Sequence, residues 1–483
     1  ARMAPASALA MSWLAFQGSV LAEPSAYEER IFNQTLDHFD DSVHTKWAHR
    51  YLFSDKFWDG SGKLPNGCKG PILLYTGNEG PIDAFWEANG FMTDYLAPKW
   101  GALLVFPEER YYGKSLPFGS DSFLPHNLVY LTTEQVIEDY VTILNYLKST
   151  LDGAGNCPVV AFGGSYGGTL TTFMRASHPE AVVGGLASSA PIGYYDHANW
   201  ASHGIDEYTW SDIVTKDYAR YPGCLETIEA ASHAIDTSDI ADVVKAFHAC
   251  SESTLGPDRP SELFAYALES LPQLDYPYPV GGRPGWPVKY TCDVLTQASN
   301  DQALIDLAAN VTFMAMGFDA KSGGCMETLP EGPGGIPGDG PGPGAWGWQS
   351  CTENLHQFSA KGVRSYNFSM AKVVDTCSRV FNGTATLNTT RLTQVYGGYK
   401  LGDGEAGITN VIWSNGGLDP WSGGGFLKPK PDTANHWFFL ERGAHHYDLR
   451  GPHADDTDEV TAVRALEETI IRGWIEEASR EVQ

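Results

Sequence analysis

The apolar residues of this chain fall into two kinds of run, and each kind predicts a different element. Residues 71–76 (PILLYT), 102–106 (ALLVF) and 158–162 (PVVAF) are continuous apolar stretches of strand length. With no polar residue alternating through them, they predict strands buried on both faces of a parallel sheet. Between the last two, Val136, Ile137, Tyr140, Val141, Leu144 and Leu147 recur at steps of three and four, which predicts an amphipathic helix over 132–151. Thr132 and Gln135 open it with the spacing of a capping box. A helix over 168–177 and a short strand from 184 to 187 extend the alternation. This order of strands and helices predicts an α/β fold with right-handed crossovers.

From about residue 196 to 405 the texture changes. Helical periodicity, as at 238–249 and 301–316, alternates with irregular stretches, and two segments are rich in proline and glycine, 276–287 (YPYPVGGRPGWP) and 332–344 (GPGGIPGDGPGPG). The second reads as a surface loop. Strand texture returns at 410–414 (NVIWS) and 436–440 (HWFFL). A last helix is predicted over 458–477, with Val463, Leu466, Ile470 and Trp474 on its packed face. The expected organisation is an α/β domain in two chain segments, 23–195 and 406–483, interrupted by a mainly helical insertion at 196–405.

Composition and charge narrow the function. The 59 acidic and 32 basic side chains leave a net charge of −27, which repels phosphate backbones and anionic membrane surfaces and excludes a nucleic-acid binder. A hydrophobic content of 42 % excludes wholesale disorder. Residues 1–22 place Arg2 ahead of an apolar stretch from Ala8 to Ala22 that ends in small residues, the pattern of a secretory signal peptide. No later stretch reaches the ~18 to 20 apolar residues that a membrane span needs, so none is expected in the mature chain. Sequons at Asn33, Asn310, Asn367, Asn382 and Asn388 are candidate glycosylation sites. Eight cysteines without a C-x-x-C pair favour structural disulfides, most of them in the insertion, with a connectivity the sequence leaves open. All of this points to the secretory pathway, with a lysosomal, vacuolar or extracellular destination.

The chemistry concentrates in 159–168 (VVAFGGSYGG). Gly163, Gly164, Ser165, Tyr166 and Gly167 satisfy G-x-S-x-G between a predicted strand and a predicted helix, the context of a nucleophile elbow. Glycines belong there because a Cβ would strike the neighbouring strand and helix. The turn lifts Ser165 Oγ above the sheet, and the helix N-terminus behind it favours developing negative charge. The N–H of Tyr166 then becomes one oxyanion donor, with a second expected from the glycine-rich loop 77–80. An elbow requires an acid and then a histidine later in the chain. Asp419 follows the strand 410–414, and the pair His445 and His446 follows the strand 436–440. The histidine would take the Ser165 proton and return it to the leaving group, while the aspartate would hold its tautomer. Spacing alone does not choose between His445 and His446. No HExxH and no third ligand at metal spacing accompanies the pair, so neither a metal nor a cofactor is expected.

These motifs, with 75–80 (YTGNEG), 110–119 (RYYGKSLPFG), 131–135 (LTTEQ), 188–192 (SSAPI), 414–425 (SNGGLDPWSGGG) and 443–450 (GAHHYDLR), resemble the lysosomal Pro-Xaa carboxypeptidase and dipeptidyl peptidase II family of serine peptidases. Weaker matches at 275–279 (DYPYP) and 348–353 (WQSCTE) carry the likeness through the insertion. The resemblance implies an α/β-hydrolase core, a helical disulfide-bonded cap and cleavage of short peptides on the carboxyl side of proline. It assigns Ser165 as nucleophile, Asp419 as acid and His445, the first histidine of the Ala-His-His run, as base. It also implies that His446 and Arg450 support the relay behind the base. Trp421 would form an aromatic wall of the proline pocket, where a flat indole suits a rigid pyrrolidine ring.

The expected activity is therefore that of a Pro-Xaa carboxypeptidase-like exopeptidase acting through an acyl-enzyme on short proline-containing peptides. Release of N-terminal Xaa-Pro dipeptides is the alternative, and a carboxylesterase or lipase on the same fold a more remote one. The chain departs from the family pattern in three places. Glu109 stands where the family carries histidine, and Thr169 follows the elbow where the carboxypeptidase branch carries methionine. The loop 332–344 lengthens a cap segment that, in the dipeptidyl peptidase branch, holds the group binding the substrate amine; Asp319, Glu331 and Asp339 are the acids nearby. The sequence leaves the oligomeric state open, a homodimer included. The acidic surface carries less self-repulsion at mildly acid pH, where function is expected.

Overall fold

The computed structural model describes residues 27–256, 258–327, 344–430 and 433–480. The segment 1–22, Glu331, Asp339 and nearly all of the loop 332–344 lie outside the described residues. Eight strands form one sheet: β1 (Glu28–Thr35), β2 (Lys46–Ser54), β3 (Ile72–Tyr75), β4 (Leu103–Pro107), β5 (Val159–Gly164), β6 (Gly184–Ser188), β7 (Val411–Gly416) and β8 (His436–Leu440). Their spatial order is β1-β2-β4-β3-β5-β6-β7-β8. β2 runs antiparallel to both β1 and β4, and every pairing from β4 to β8 is parallel. Strands β3 to β7 are buried along their whole length, as strands covered on both faces are.

Successive side chains of each strand serve opposite faces. Ile72, Leu74, Val105 and Ala161 pack under the helices Thr133–Thr150 and Tyr166–Ser177, while Leu73, Val160, Phe162, Leu186 and Ile412 pack against the helix Asp458–Arg480. This α/β sheet, with its one antiparallel strand near the edge and a helix entered directly from β5, is that of an α/β-hydrolase.

β1 and β2 were not legible in the apolar pattern. β2 carries His49 and Arg50, both buried, which break any hydrophobic alternation. Their burial is sustained by partners elsewhere: Arg50 meets Asp83 at 2.6 Å, Glu29 at 2.9 Å and Glu108 at 3.0 Å. The capping box forms by half. Thr132 accepts a bond from the Gln135 amide nitrogen at 3.3 Å, but the Gln135 side chain is drawn away to Asp37 and the His38 backbone. The last helix is also rotated from its predicted face. Val463 and Trp474 pack as expected, yet Ile471 and Ile475 are buried while Leu466 is 51 % exposed. Trp474 sets this rotation by filling the space over Gly184, where a Cβ would lie 2.3 Å from the indole. The helix predicted over 238–249 is shorter, Ile240–Ala246, because Asp239 caps its start.

Between β6 and β7 the described chain is helical, including Thr209–Tyr218, Cys224–Thr237, Glu262–Glu269, Pro287–Leu295, Asp301–Met316 and Ala345–Thr352. Three disulfides lie within it, Cys224–Cys292, Cys250–Cys325 and Cys351–Cys377, and a fourth, Cys68–Cys157, joins the chain entering β3 to the chain entering β5. The five sequon asparagines are all exposed. Among the described residues no helix is long and apolar enough to cross a membrane.

Several carboxyl groups are buried where desolvation outweighs the charge partners they have. Glu353 is pushed up to about 7 by burial, and Glu134 adds to the shift. Asp217, whose two carboxyl oxygens lack hydrogen-bond partners among the described residues, is raised by burial and then by Asp275. A carboxyl whose pKa is higher folded than unfolded contributes stability below its ordinary value, and that contribution is lost as pH rises through the folded pKa. For Glu353 the window runs from 4.5 to about 7. The loss is roughly 3 kcal/mol from this group alone. Thermal melting is therefore expected to give a higher Tm at pH 5 than at pH 8, and a Tm that rises across this window would contradict it.

Candidate active site

The site is built on the turn from β5 into the helix Tyr166–Ser177. Ser165 makes this turn in one residue, at φ 59° and ψ −128°, a left-handed conformation that costs a residue with a side chain. Its N–H donates to the Ser188 carbonyl of β6 at 2.9 Å, and its own carbonyl accepts from Thr169 N at 3.1 Å. The flanking glycines are required by space. A Cβ on residue 163 would sit 2.1 Å from the Gly167 carbonyl oxygen, and one on residue 167 would sit 2.3 Å from Asn78 Oδ1. At residue 164 it would meet the His446 ring at 3.0 Å.

The loop after β3 is fastened to this turn. Asn78 Nδ2 donates to the Gly164 carbonyl at 2.7 Å, Tyr75 donates to Asn78 Oδ1 at 2.8 Å, and Thr76 Oγ1 donates to the Gly167 carbonyl at 2.7 Å. The glycine-rich segment 77–80 is thereby held beside Ser165, on the side expected to supply the second oxyanion donor.

Asp419 and the histidines reach the same edge because β7 and β8 run parallel to β5 and end there. Asp419 is fully buried and starts the short turn Pro420–Gly424, with Oδ1 accepting from Trp421 N at 3.1 Å. Its Oδ2 lies 2.8 Å from His445 Nδ1. A carboxylate at Nδ1 keeps the proton there and leaves Nε2 as the free base. The tertiary structure therefore separates the two histidines that spacing left equivalent. The His445 backbone is pinned on both sides, its N–H donating to the Gln273 carbonyl at 3.0 Å and its carbonyl accepting from the Tyr276 hydroxyl.

His446 instead lays its ring on Gly164 and donates its N–H to Ser189 Oγ at 2.8 Å. Its pKa is held well below the usual histidine range by desolvation, then by His445 and Arg450. Arg450 places its guanidinium 4.3 Å from the centre of the Tyr276 ring, the tyrosine whose hydroxyl donates to the His445 carbonyl. Trp421 stands with its ring 6.4 Å from that of His445 and donates Nε1–H to Gln273 at 3.0 Å. Around it gather His356 at 5.0 Å, Phe358 at 6.0 Å, Trp210 at 6.1 Å and Tyr194 at 6.3 Å. Ser165 and Trp421 keep partial exposure, whereas Asp419 and Tyr166 are sealed. Thr169 is buried one turn beyond the elbow, and Asp319 is an exposed cap of the turn Ala320–Ser322.

Sequence reasoning missed Asn78, Gln273, Tyr276 and Gln349 as parts of the site. Asn78, Tyr276 and Gln349 lay inside segments that carried the family likeness, but no local pattern marked their roles. Gln349 joins the helix Ala345–Thr352 to the elbow, donating to the Tyr166 hydroxyl at 2.9 Å.

A serine elbow after β5 and a buried aspartate–histidine pair at the same sheet edge define an α/β-hydrolase. Residues 34–467 match the family model described as serine carboxypeptidase S28. The chain is 34 % identical to the lysosomal Pro-X carboxypeptidase of Bos taurus, over 93 % of this chain and 88 % of that protein. It is also 34 % identical to the Homo sapiens protein of the same name, over 95 % and 90 %. A Caenorhabditis elegans protein named prolyl carboxy peptidase like protein 5 is 33 % identical, over 94 % and 91 %. The chain belongs to the serine carboxypeptidase S28 family and is a serine peptidase.

The packing of the elbow makes a direct prediction. Gly163→Ala drives a Cβ into the Gly167 carbonyl and should cost about 3 kcal/mol or more, read as a fall in Tm or loss of folded protein. A variant that melts like the parent would show that the turn has room to spare.

Proposed function

We propose that this serine peptidase is an exopeptidase cleaving short peptides on the carboxyl side of proline, with Ser165 as nucleophile, His445 as general base and Asp419 as its orienting acid. The observation that carries the reading is the Asp419–His445 bond of 2.8 Å at the edge where the Ser165 turn opens. His445 Nε2 takes the Ser165 proton as Oγ attacks the prolyl carbonyl, and the C–N bond breaks as that proton passes to the leaving amine. Water then repeats the sequence on the acyl-enzyme and releases the acid. The N–H of Tyr166 faces the oxyanion, with the second donor from the segment 77–80.

Trp421 and the aromatic rings about it supply a rigid apolar wall suited to a pyrrolidine ring. His446 and Arg450 support the base. The core comprises 23–195 and 406–483, and the insertion 196–405 acts as a cap that admits only short chains. Gln273, Tyr276, His356 and Gln349 all reach the site from that insertion. The names of the mammalian relatives favour the carboxypeptidase form and a lysosomal place in the secretory pathway. Four disulfides and five exposed sequons fit that pathway. Release of N-terminal Xaa-Pro dipeptides is the alternative, and it would need ionised carboxylates to hold the substrate's ammonium.

Two measurements test this. Ser165→Ala should abolish hydrolysis and Asp419→Asn should lower kcat by about a thousandfold or more; full activity in Ser165→Ala would remove the nucleophile. An amino-blocked Xaa-Pro-Xaa peptide and a free-amino Xaa-Pro amide separate the two forms. Turnover of the blocked peptide is expected, and turnover of the amide alone would overturn the carboxypeptidase form.

A further inference from the structure

β4 leads into three consecutive charged residues, Glu108, Glu109 and Arg110, all buried. The outer two find opposite charges. Glu108 accepts from Arg50 at 3.0 Å, and Arg110 donates to both oxygens of Asp139 at 2.7 Å. Glu109 turns instead toward the elbow. Its Oε1 accepts from Gln349 Nε2 at 3.2 Å and lies 3.5 Å from the Tyr166 hydroxyl, while Oε2 has no hydrogen-bond partner among the described residues. Gln349 closes the group, donating to Tyr166 at 2.9 Å and accepting from the Tyr112 hydroxyl at 2.5 Å.

The titratable groups that face Glu109 come from every element packed on it. They are Glu79 from the loop after β3, Glu353 beyond the helix Ala345–Thr352, Tyr140 from the helix Thr133–Thr150, Tyr166, and Tyr112 of its own loop. None of these is a cation. Arg391 lies 3.3 Å from Glu353, and Arg110 is committed to Asp139. A buried carboxyl among further carboxyls and hydroxyls is far cheaper neutral than charged. Desolvation, and after it Glu79, hold its pKa well above the usual carboxylate range.

We infer that Glu109 is a positioning residue which, as a neutral carboxylic acid, holds Gln349 and Tyr166 in place beside Ser165, and that its ionisation turns acyl transfer off. This rests on the reading of Tyr166 as an oxyanion donor. A carboxylate next to that residue opposes the negative charge that develops on the tetrahedral intermediate. The proton leaves to solvent as pH rises, so kcat falls through the Glu109 pKa. The contact also ties the insertion, through Gln349, to the residue that stabilises the oxyanion.

The test is the pH dependence of kcat and KM on whichever peptide is turned over. Glu109→Gln keeps the shape and removes the charge at every pH. It is expected to lose about threefold to tenfold in kcat at pH 5 with KM little changed, and to move the alkaline limb up by about one pH unit or more. An alkaline limb that coincides with that of the parent overturns the inference, as does a parent with no alkaline limb below about pH 9. Should Glu109→Gln fail to melt as a folded protein, Tyr166→Phe decides. It cuts the link while leaving the charge, so a lower kcat at unchanged KM supports the inference and an unchanged kcat overturns it. Activity surviving in Ser165→Ala would instead remove the nucleophile assignment, so the two failures are distinguishable.

Discussion

The chain passes from the fifth strand into its helix through one residue, and the backbone at Ser165 adopts a left-handed φ of 59° to do so. Such a conformation persists only where surrounding structure over-determines it, at a cost of about 1–3 kcal/mol. Here the surroundings come from four separate parts of the chain. Asn78 and Thr76 clamp the turn from the loop after β3, Ser188 takes the Ser165 N–H from β6, and the His446 ring fills the volume that a side chain on residue 164 would need. Trp421 and His445 enter from the ends of β7 and β8. Removing the Cβ atoms from the elbow is thus what allows the other parts of the site to approach it.

A second constraint is electrostatic. The fold does not give every buried carboxyl a cation, although the chain has 32 basic side chains. Some are paired tightly, as Asp139 with Arg110, which meet at 2.7 Å. Others, Glu109, Glu353 and Asp217 among them, are buried mainly among hydroxyls, amides or further acids and are cheapest when protonated. The acidic composition and the buried neutral acids favour the same conditions by different routes, less self-repulsion at the surface and intact protons inside.

Much of the fold was legible because its signals are local. The unbroken runs of β3, β4, β5 and β7 report burial on two faces, and the helices Thr133–Thr150 and Asp301–Met316 report their periodicity. The failures share a cause, which is that a partner distant in the chain overrode the local pattern. β2 hides behind Arg50 and His49, whose burial depends on Asp83 and Glu108. The last helix turned because Trp474 answers a glycine in β6. Gln135 left its capping box for Asp37.

The site divides in the same way. A serine between glycines after an apolar run, and an aspartate and two histidines after later runs, are visible in the sequence because each depends on its immediate neighbours. The motif segments also carried the family. Which histidine meets Asp419 through its side chain, and what holds it there, was decided only in three dimensions. Tyr276 and His445 are 169 residues apart, and Gln349 and Tyr166 are 183 apart. No local pattern encodes contacts at such separations, since they arise from how the helical insertion packs back onto the sheet edge. The sequence by itself therefore determined the candidate reacting groups and the strands that present them; the tertiary structure decided their partners and their support, because those depend on neighbours that only folding brings together.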